Sequence, residues 1–157
     1  MNKLARKLQS EGEKTLAFFR GLQPADWARP IYSEGAVWTV RDILAHLVSA
    51  ESSIPRLIAA LLEEGRQIPP DFDLDAYNQR QVSKMAAETP AALLERFTRL
   101  RAATVEMVRG LGEADLQTVG RHPFLGEAPV EDMLKLMYRH TQIHQRDIRK
   151  ALAGAAR

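Results

Sequence analysis

Three of the four histidines in this chain of 157 residues lie on stretches with the periodicity of an α-helix, and two of them are four residues apart. Because a helix has about 3.6 residues per turn, His140 and His144 project from one face, about 40° apart around the axis. His46 lies on a second helical stretch, between the apolar residues Ile43 and Leu47. An unpaired imidazole is costly among apolar residues. A divalent metal ion, which takes neutral imidazole nitrogens, would give all three histidines one shared role.

The alternative for each histidine is a hydrogen-bonded residue of the core. For His46 taken alone that alternative is favoured, and an H-x-x-x-H pair also arises by chance on a polar helix face. From the residues alone, the metal site and the core interpretation therefore remain about equally open. The fourth histidine, His122, precedes Pro123 in a predicted loop. We interpret it first as a turn or surface residue and only secondarily as part of the rim of a site.

Charged residues near these histidines are weaker candidates for a role in a metal or catalytic site. Asp147, three residues after His144, is placed either to orient that imidazole through a hydrogen bond or to pair with a neighbouring basic residue. Glu51 follows His46 by five residues, about 140° around a regular helix, so we do not expect it to be a ligand. Three arginines near loop ends have little weight as groups that bind an anionic substrate: Arg29, Arg41 and Arg121.

Aromatic residues in or beside the predicted loops are expected to close the ends of a helical bundle, and only secondarily to line a substrate pocket. They are Trp27, Tyr32, Trp38 and Phe124.

The composition excludes several classes of function. The 22 basic residues nearly balance the 20 acidic ones and form no dense run, so nucleic acid is not an expected partner. The chain has no cysteine, which excludes disulfides, zinc fingers and a cysteine nucleophile.

No stretch approaches the roughly 20 apolar residues of a membrane span, and the N-terminus lacks the apolar run of a signal peptide. We expect one cytoplasmic domain, residues 1–157, without a membrane partner.

The elements that must position the histidines are predicted to be helical, since strand signals are weak throughout. Four long helices are expected over residues 3–22, 40–65, 90–110 and 129–153, with a short extra helix over 74–86 between the second and the third. This pattern predicts an all-α fold, a four-helix bundle. Facing helices in a bundle core are the usual place for a metal site.

Capping residues define the helix starts. Thr39 is a suitable N-cap, with Asp42 three residues later as in a capping box. Thr89 followed by Pro90 marks the third long helix, because proline suits the first helical position. Pro55 lies inside the second helix and is expected to kink it or to end it.

Three segments together resemble the DinB-like family of bundle proteins, which is related to the N-terminal domain of mycothiol-dependent maleylpyruvate isomerase. WTVRDILAHLVSAE is similar to the family's second helix, and DFDLDAYNQRQV, which contains Asn78, is similar to its middle connection. HPFLGEAPVEDMLKLMYRHTQIHQRDI resembles its closing loop and last helix, with one more residue before Gly126 than in a tighter turn. The similarity extends from about Trp38 to Ile148, and the spacing of the three histidines is its most specific part.

The resemblance implies a four-helix bundle that holds a divalent metal, zinc or nickel foremost, through His46, His140 and His144. It also implies a homodimer and a link to low-molecular-weight thiols such as bacillithiol, mycothiol or glutathione. The leading hypothesis is therefore a metal-dependent thiol S-transferase or isomerase that acts on a small molecule. No side chain stands out as a general base. A metal-dependent hydrolase and a non-catalytic metal- or ligand-binding bundle (a sensor, a store or a structural dimer) are the alternatives.

Overall fold

The structure, a computed structural model, describes residues 2–33 and 36–155. In these ranges the chain forms mainly helices, together with two short β-hairpins. The α-helices are α1 (Lys3–Arg20), α2 (Val40–Glu64), α3 (Leu74–Lys84), α4 (Pro90–Arg109), α5 (Glu113–Gln117) and α6 (Val130–Ala155). The strands are β1 (Pro30–Ser33), β2 (Ala36–Thr39), β3 (Val119–His122) and β4 (Gly126–Pro129), and a 3₁₀ helix covers Pro24–Ala28.

Four long helices form the predicted bundle. Both α1 and α2 pack against α4 and α6, so α2 and α6, which carry the three histidines, are neighbours. The short helix α3 lies in the connection between α2 and α4 and packs on α2, as predicted. In the described ranges no helix is long and apolar enough to cross a membrane.

The helix starts follow from local hydrogen bonds and agree with the sequence prediction. At the start of α2, the Asp42 amide donates to Thr39 Oγ1 and the Thr39 amide donates to Asp42 Oδ2, both at 3.1 Å. At the start of α4, the Ala92 amide donates to Thr89 Oγ1 at 3.1 Å. Each bond satisfies a backbone donor that the first helical turn leaves without a partner. The second helix is thereby fixed seven residues before His46.

Of the two outcomes predicted at Pro55, an end of the helix is wrong, and a kink stays a prediction. The helix α2 does not end at Pro55 but continues through it to Glu64, where Gly65 follows with a left-handed φ of 64°. A proline removes one helical hydrogen bond, and the packing of the long apolar face on both sides outweighs that loss. The first helix also ends at Arg20, two residues earlier than expected.

The two hairpins were not predicted. β1 pairs antiparallel with β2, and β3 pairs antiparallel with β4 so that His122 lies opposite Gly126. The strands have four residues each and show no clear alternation of apolar residues, the usual strand signal. One local signal was present: Gly126 follows a three-residue loop with a φ of 73°, as is common in hairpins with such loops.

Two apolar clusters fill the bundle, and buried polar side chains lie between them. One cluster contains Phe19, Leu44 and Phe97, and the other contains Leu8, Ile58 and Leu134. The buried polar residues occupy the intervening turns of all four helices: Glu11 and Thr15 on α1, Ser49 and Glu51 on α2, Arg101 and Thr104 on α4, and Thr141, His144 and Gln145 on α6. Because buried polar groups are stable only with partners, this layer is where chemistry or special pairing is expected.

Candidate metal centre

The three predicted histidines meet in the bundle core through their Nε2 atoms. The Nε2 atom of His140 lies 3.2 Å from that of His46 and 2.9 Å from that of His144. One ligand atom from each ring lies within 4.8 Å of the others. His46 is 4% exposed, His144 is fully buried and His140 is half-buried. The group is therefore closed on the side of the core and accessible on the side of His140.

Local structure explains how each ring is held. His140 and His144 are one turn apart on α6, and their ring centroids are 4.5 Å apart. His46 comes from the packed neighbour α2, and its ring contacts that of Trp38 at a centroid distance of 5.0 Å. Trp38 is only 6% exposed and directly precedes the N-cap residue Thr39, so the first hairpin places it. The same indole donates from Nε1 to Gln79 Oε1 of α3 at 3.4 Å.

Hydrogen bonding alone does not account for this arrangement. A ring nitrogen has either one proton or one in-plane lone pair, so Nε2 of His140 can make only one good bond with its two Nε2 neighbours. A cation that accepts three lone pairs satisfies all of them at once. Tetrahedral zinc with bonds of about 2.0–2.1 Å holds its nitrogen ligands about 3.3 Å apart. The 3.2 Å between the Nε2 atoms of His46 and His140 is close to this value, and the 2.9 Å between those of His140 and His144 is shorter.

His122 also belongs to this region, although the sequence indicated a turn or surface residue. It does end a strand next to a turn, but its side chain is buried, with 4% exposed. Its Nδ1 accepts the backbone N–H groups of Phe124 at 3.0 Å and of Leu125 at 3.2 Å. Burial lowers the pKa of His122 to about 4, and repulsion from His140 adds to that effect. The ring is therefore neutral and lies within electrostatic range of His140.

The sequence matches the model of the mycothiol maleylpyruvate isomerase N-terminal domain family over residues 8–149. The chain belongs to this family. Solved structures of DinB-like proteins share its fold, in agreement with the predicted resemblance. No curated protein matches the chain.

The fold of this chain is similar to that of several solved proteins, among them the following three. The mycothiol-dependent maleylpyruvate isomerase is 18% identical, with a TM-score of 0.70 over 92% of this chain, which spans only 57% of that protein's length. YfiT from Bacillus subtilis, described as a probable metal-dependent hydrolase with an unusual four-helix bundle topology, is 23% identical, with a TM-score of 0.74 over 99% of this chain and 90% of its own. The colibactin self-resistance protein ClbS, solved in complex with a double-stranded DNA, is 12% identical. The two structures have a TM-score of 0.75, and the match covers 96% of this chain and 94% of ClbS. At these identities the likeness shows the fold.

The charged residues near the histidines of this DinB-like protein have partners elsewhere. Glu51 receives two hydrogen bonds from the buried guanidinium of Arg101, at 2.6 and 2.9 Å, and lies outside the histidine group as expected. Asp147 is paired with Arg146 at 3.6 Å, the second of its two predicted arrangements.

The arginines considered for anion binding have structural partners. Arg29 and Arg41 donate to backbone carbonyls of Ala151, Glu88 and Met85, and Arg121 is 3.4 Å from Glu127. The structure therefore gives no reason to assign any of them to a substrate.

One of the aromatic residues takes the first of the two predicted roles, and the pocket-lining role stays a prediction. Trp27 stacks on Phe19 at 5.8 Å at one end of the bundle, as a closing residue does. Trp38 instead contacts the His46 ring, and Phe124 is 71% exposed at the tip of the second hairpin. The side chain of Tyr32 lies outside the described residues.

Proposed function

We propose that the protein is a divalent-metal-dependent enzyme whose ion is held by His46, His140 and His144. In this proposal it transfers or isomerises a small molecule with a low-molecular-weight thiol as cofactor. The observation that carries the proposal is the convergence of three Nε2 atoms from two helices, two of them in the buried core. Three neutral imidazoles suit zinc, nickel and similar ions, with zinc or nickel as the leading candidates.

The ligand set favours an ion with an accessible position. Among the described residues the group contains three histidines and no carboxylate or fourth imidazole. A structural zinc site normally has four protein ligands, whereas a catalytic one keeps a position for substrate or water. A divalent ion there would lower the pKa of a thiol or water that binds to it. Because the chain has no cysteine, the thiol would come from a cofactor.

Membership of the family supports the thiol-dependent hypothesis, since the family is named for a mycothiol-dependent isomerase. The description of YfiT as a probable metal-dependent hydrolase supports hydrolysis as the second candidate. A non-catalytic metal- or ligand-binding bundle is the third. The homodimer and the cytoplasmic location stay predictions. So does the absence of a nucleic-acid partner, because one protein of the same fold was solved with double-stranded DNA.

The ligand assignment is tested by elemental analysis of protein purified without a histidine tag. We expect about one metal ion per chain in the wild type and none in a His46→Ala/His140→Ala variant. Circular dichroism of both proteins verifies that the variant keeps its helices. Absence of metal from the wild type, even after reconstitution, would contradict the proposal and leave the histidines as core residues.

The reaction class is tested next, with metal-loaded and metal-free protein and a panel of glutathione, mycothiol and bacillithiol. Turnover that requires both the metal and a thiol would support transfer or isomerisation. Turnover of esters or amides with the metal alone would favour the hydrolase. Metal binding without turnover in either assay would favour the non-catalytic bundle.

A further inference from the structure

We propose that His122 is a further functional residue of this site and that its Nε2–H group donates a hydrogen bond to an anionic atom bound beside the three imidazoles. This inference rests on the proposed metal site and extends it with a residue that binds the ligand rather than the ion.

The hydrogen bonds of the second hairpin fix the tautomer of this ring. Nδ1 of His122 accepts two backbone N–H groups, those of Phe124 and Leu125. An acceptor nitrogen must present its lone pair and cannot have a proton. A doubly protonated ring would turn an N–H against two other N–H groups. The one proton of a neutral imidazole is therefore on Nε2, and that atom is a donor.

The donor at Nε2 has no partner among the described residues, although it is buried. Native proteins rarely leave a buried donor unpaired, and exceptions call for a specific explanation such as a ligand or a functional role. Because the Nδ1 edge of the ring faces the hairpin loop, the Nε2 edge faces away from it. A bound acceptor at that edge would complete the hydrogen bonding of His122.

The position of His122 places this donor near the proposed metal site. Both strands of its hairpin pack against α6, the helix of His140 and His144. The His122 ring lies close enough to His140 for an electrostatic interaction, and His140 is the most accessible of the three proposed ligands. His122 itself is not a member of the ligand group. A protonated Nε2 cannot coordinate a metal, so the ring can serve as a donor but not as a fourth ligand.

The chemistry of a neutral N–H donor defines the class of ligand. It suits an acceptor with negative charge, such as a thiolate sulfur or a carboxylate oxygen, and offers nothing to a cationic amine. The donor would hold that acceptor next to the proposed metal site. This is the kind of ligand that the proposed thiol-dependent reaction requires.

Two variants separate the roles of the two ring nitrogens. The short side chain of H122N can place Oδ1 where Nδ1 accepts the hairpin amides, but it does not reach the position of Nε2. The longer side chain of H122Q can place its Nε2 donor near the original one, but it then has no acceptor at the position of Nδ1 for the hairpin amides. H122N therefore removes the proposed interaction, and H122Q is its matched control.

The probe is azide, a small anion that accepts hydrogen bonds, titrated into cobalt(II)-loaded protein and followed by the visible absorption of the metal. We expect H122N to take up cobalt like the wild type but to bind azide about tenfold more weakly, because a hydrogen bond to a charged group is lost. H122Q should bind azide within about threefold of the wild type. Titrations with acetate and 2-mercaptoethanol then distinguish a carboxylate from a thiolate as the preferred acceptor.

The outcomes separate this inference from the proposed function. Wild-type protein that takes up no cobalt would overturn the metal site and this inference with it. Normal cobalt uptake with unchanged azide affinity in H122N would overturn the role of His122 alone. If H122N does not fold, ¹⁵N NMR of zinc-loaded wild-type protein decides the question. An Nε2–H tautomer of His122 whose signal shifts on addition of azide supports the inference, and an unshifted signal overturns it.

Discussion

Arg101 on α4 and Glu51 on α2 form a bidentate ion pair inside the bundle, with Nε 2.9 Å from Oε2 and Nη2 2.6 Å from Oε1. Their side chains are 5% and 2% exposed. Arg101 also donates from Nη1 to the carbonyl of Leu8 at 2.9 Å, which connects α1 to the same pair. The carboxylate of Glu51, five residues after His46, is thus fully engaged in holding three helices together.

The Glu51→Gln substitution should destabilise the protein by about 3 kcal/mol, because it leaves the buried guanidinium of Arg101 without a counter-charge. The free energy of unfolding, measured with urea, checks this value. A Glu51→Leu/Arg101→Met double variant should recover most of the loss, since an apolar pair of similar volume often replaces a buried ion pair at little cost. A loss below about 1 kcal/mol in the single variant would show that the pair is not a major contact.

The Gly12→Ala substitution should destabilise the protein by about 1–3 kcal/mol, although alanine is the better helix former. A Cβ at position 12 would lie 2.8 Å from Cγ of Arg101, and Arg101 is held at its far end by Glu51. Gly154→Ala is the matched control, since a Cβ at that helical position meets nothing within 4 Å. Thermal unfolding should show a lower midpoint for Gly12→Ala only. Equal midpoints for the two variants would mean that Arg101 can move.

Glu11 should contribute to stability in a manner that depends on pH. Burial raises the pKa of its carboxyl group, but hydrogen bonds from Gln142, Lys14 and Lys7 outweigh burial and lower the pKa to about 2, from 4.5. Since the folded pKa is the lower one, the stabilisation is present above about pH 4.5 and is lost as the pH falls toward 2.

The Glu11→Gln variant tests this dependence. It should be about 1–2 kcal/mol less stable than the wild type at pH 7, after allowance for the solvent around the exposed lysines, and the difference should shrink toward pH 3. Urea unfolding of both proteins at pH 7, 5 and 3 measures it. A difference that stays constant with pH would contradict the lowered pKa.

Addition of zinc or nickel to metal-free protein should raise the unfolding temperature. At a metal concentration of about 100 times Kd, binding to the folded state alone adds about 2.7 kcal/mol. For a chain of this size that corresponds to about 5–10 °C. The His144→Ala variant should keep its helical content but show no shift. Ile143→Ala, which alters a 46% exposed neighbour, should shift like the wild type. A metal-induced shift that persists in His144→Ala would remove His144 from the site.

Much of the helical framework was predictable because its signals are local. The capping box of Thr39 and Asp42, and Thr89 before Pro90, act through hydrogen bonds within a few residues of each helix start. The short strands were missed because they have little propensity of their own and depend on pairing and on packing against helices. Pro55 shows the same limit, since long-range packing keeps α2 continuous against a local signal.

The sequence by itself determined that His140 and His144 share a face of one helix, because the helical period is fixed by the backbone. Only the tertiary structure decided that His46 lies 3.2 Å from His140, since that distance depends on how α2 packs against α6. The same holds for the engagement of Glu51 by Arg101, fifty residues away, and for the burial of His122. Such contacts between distant segments arise from the packing of side chains across helices and have no periodicity along the chain.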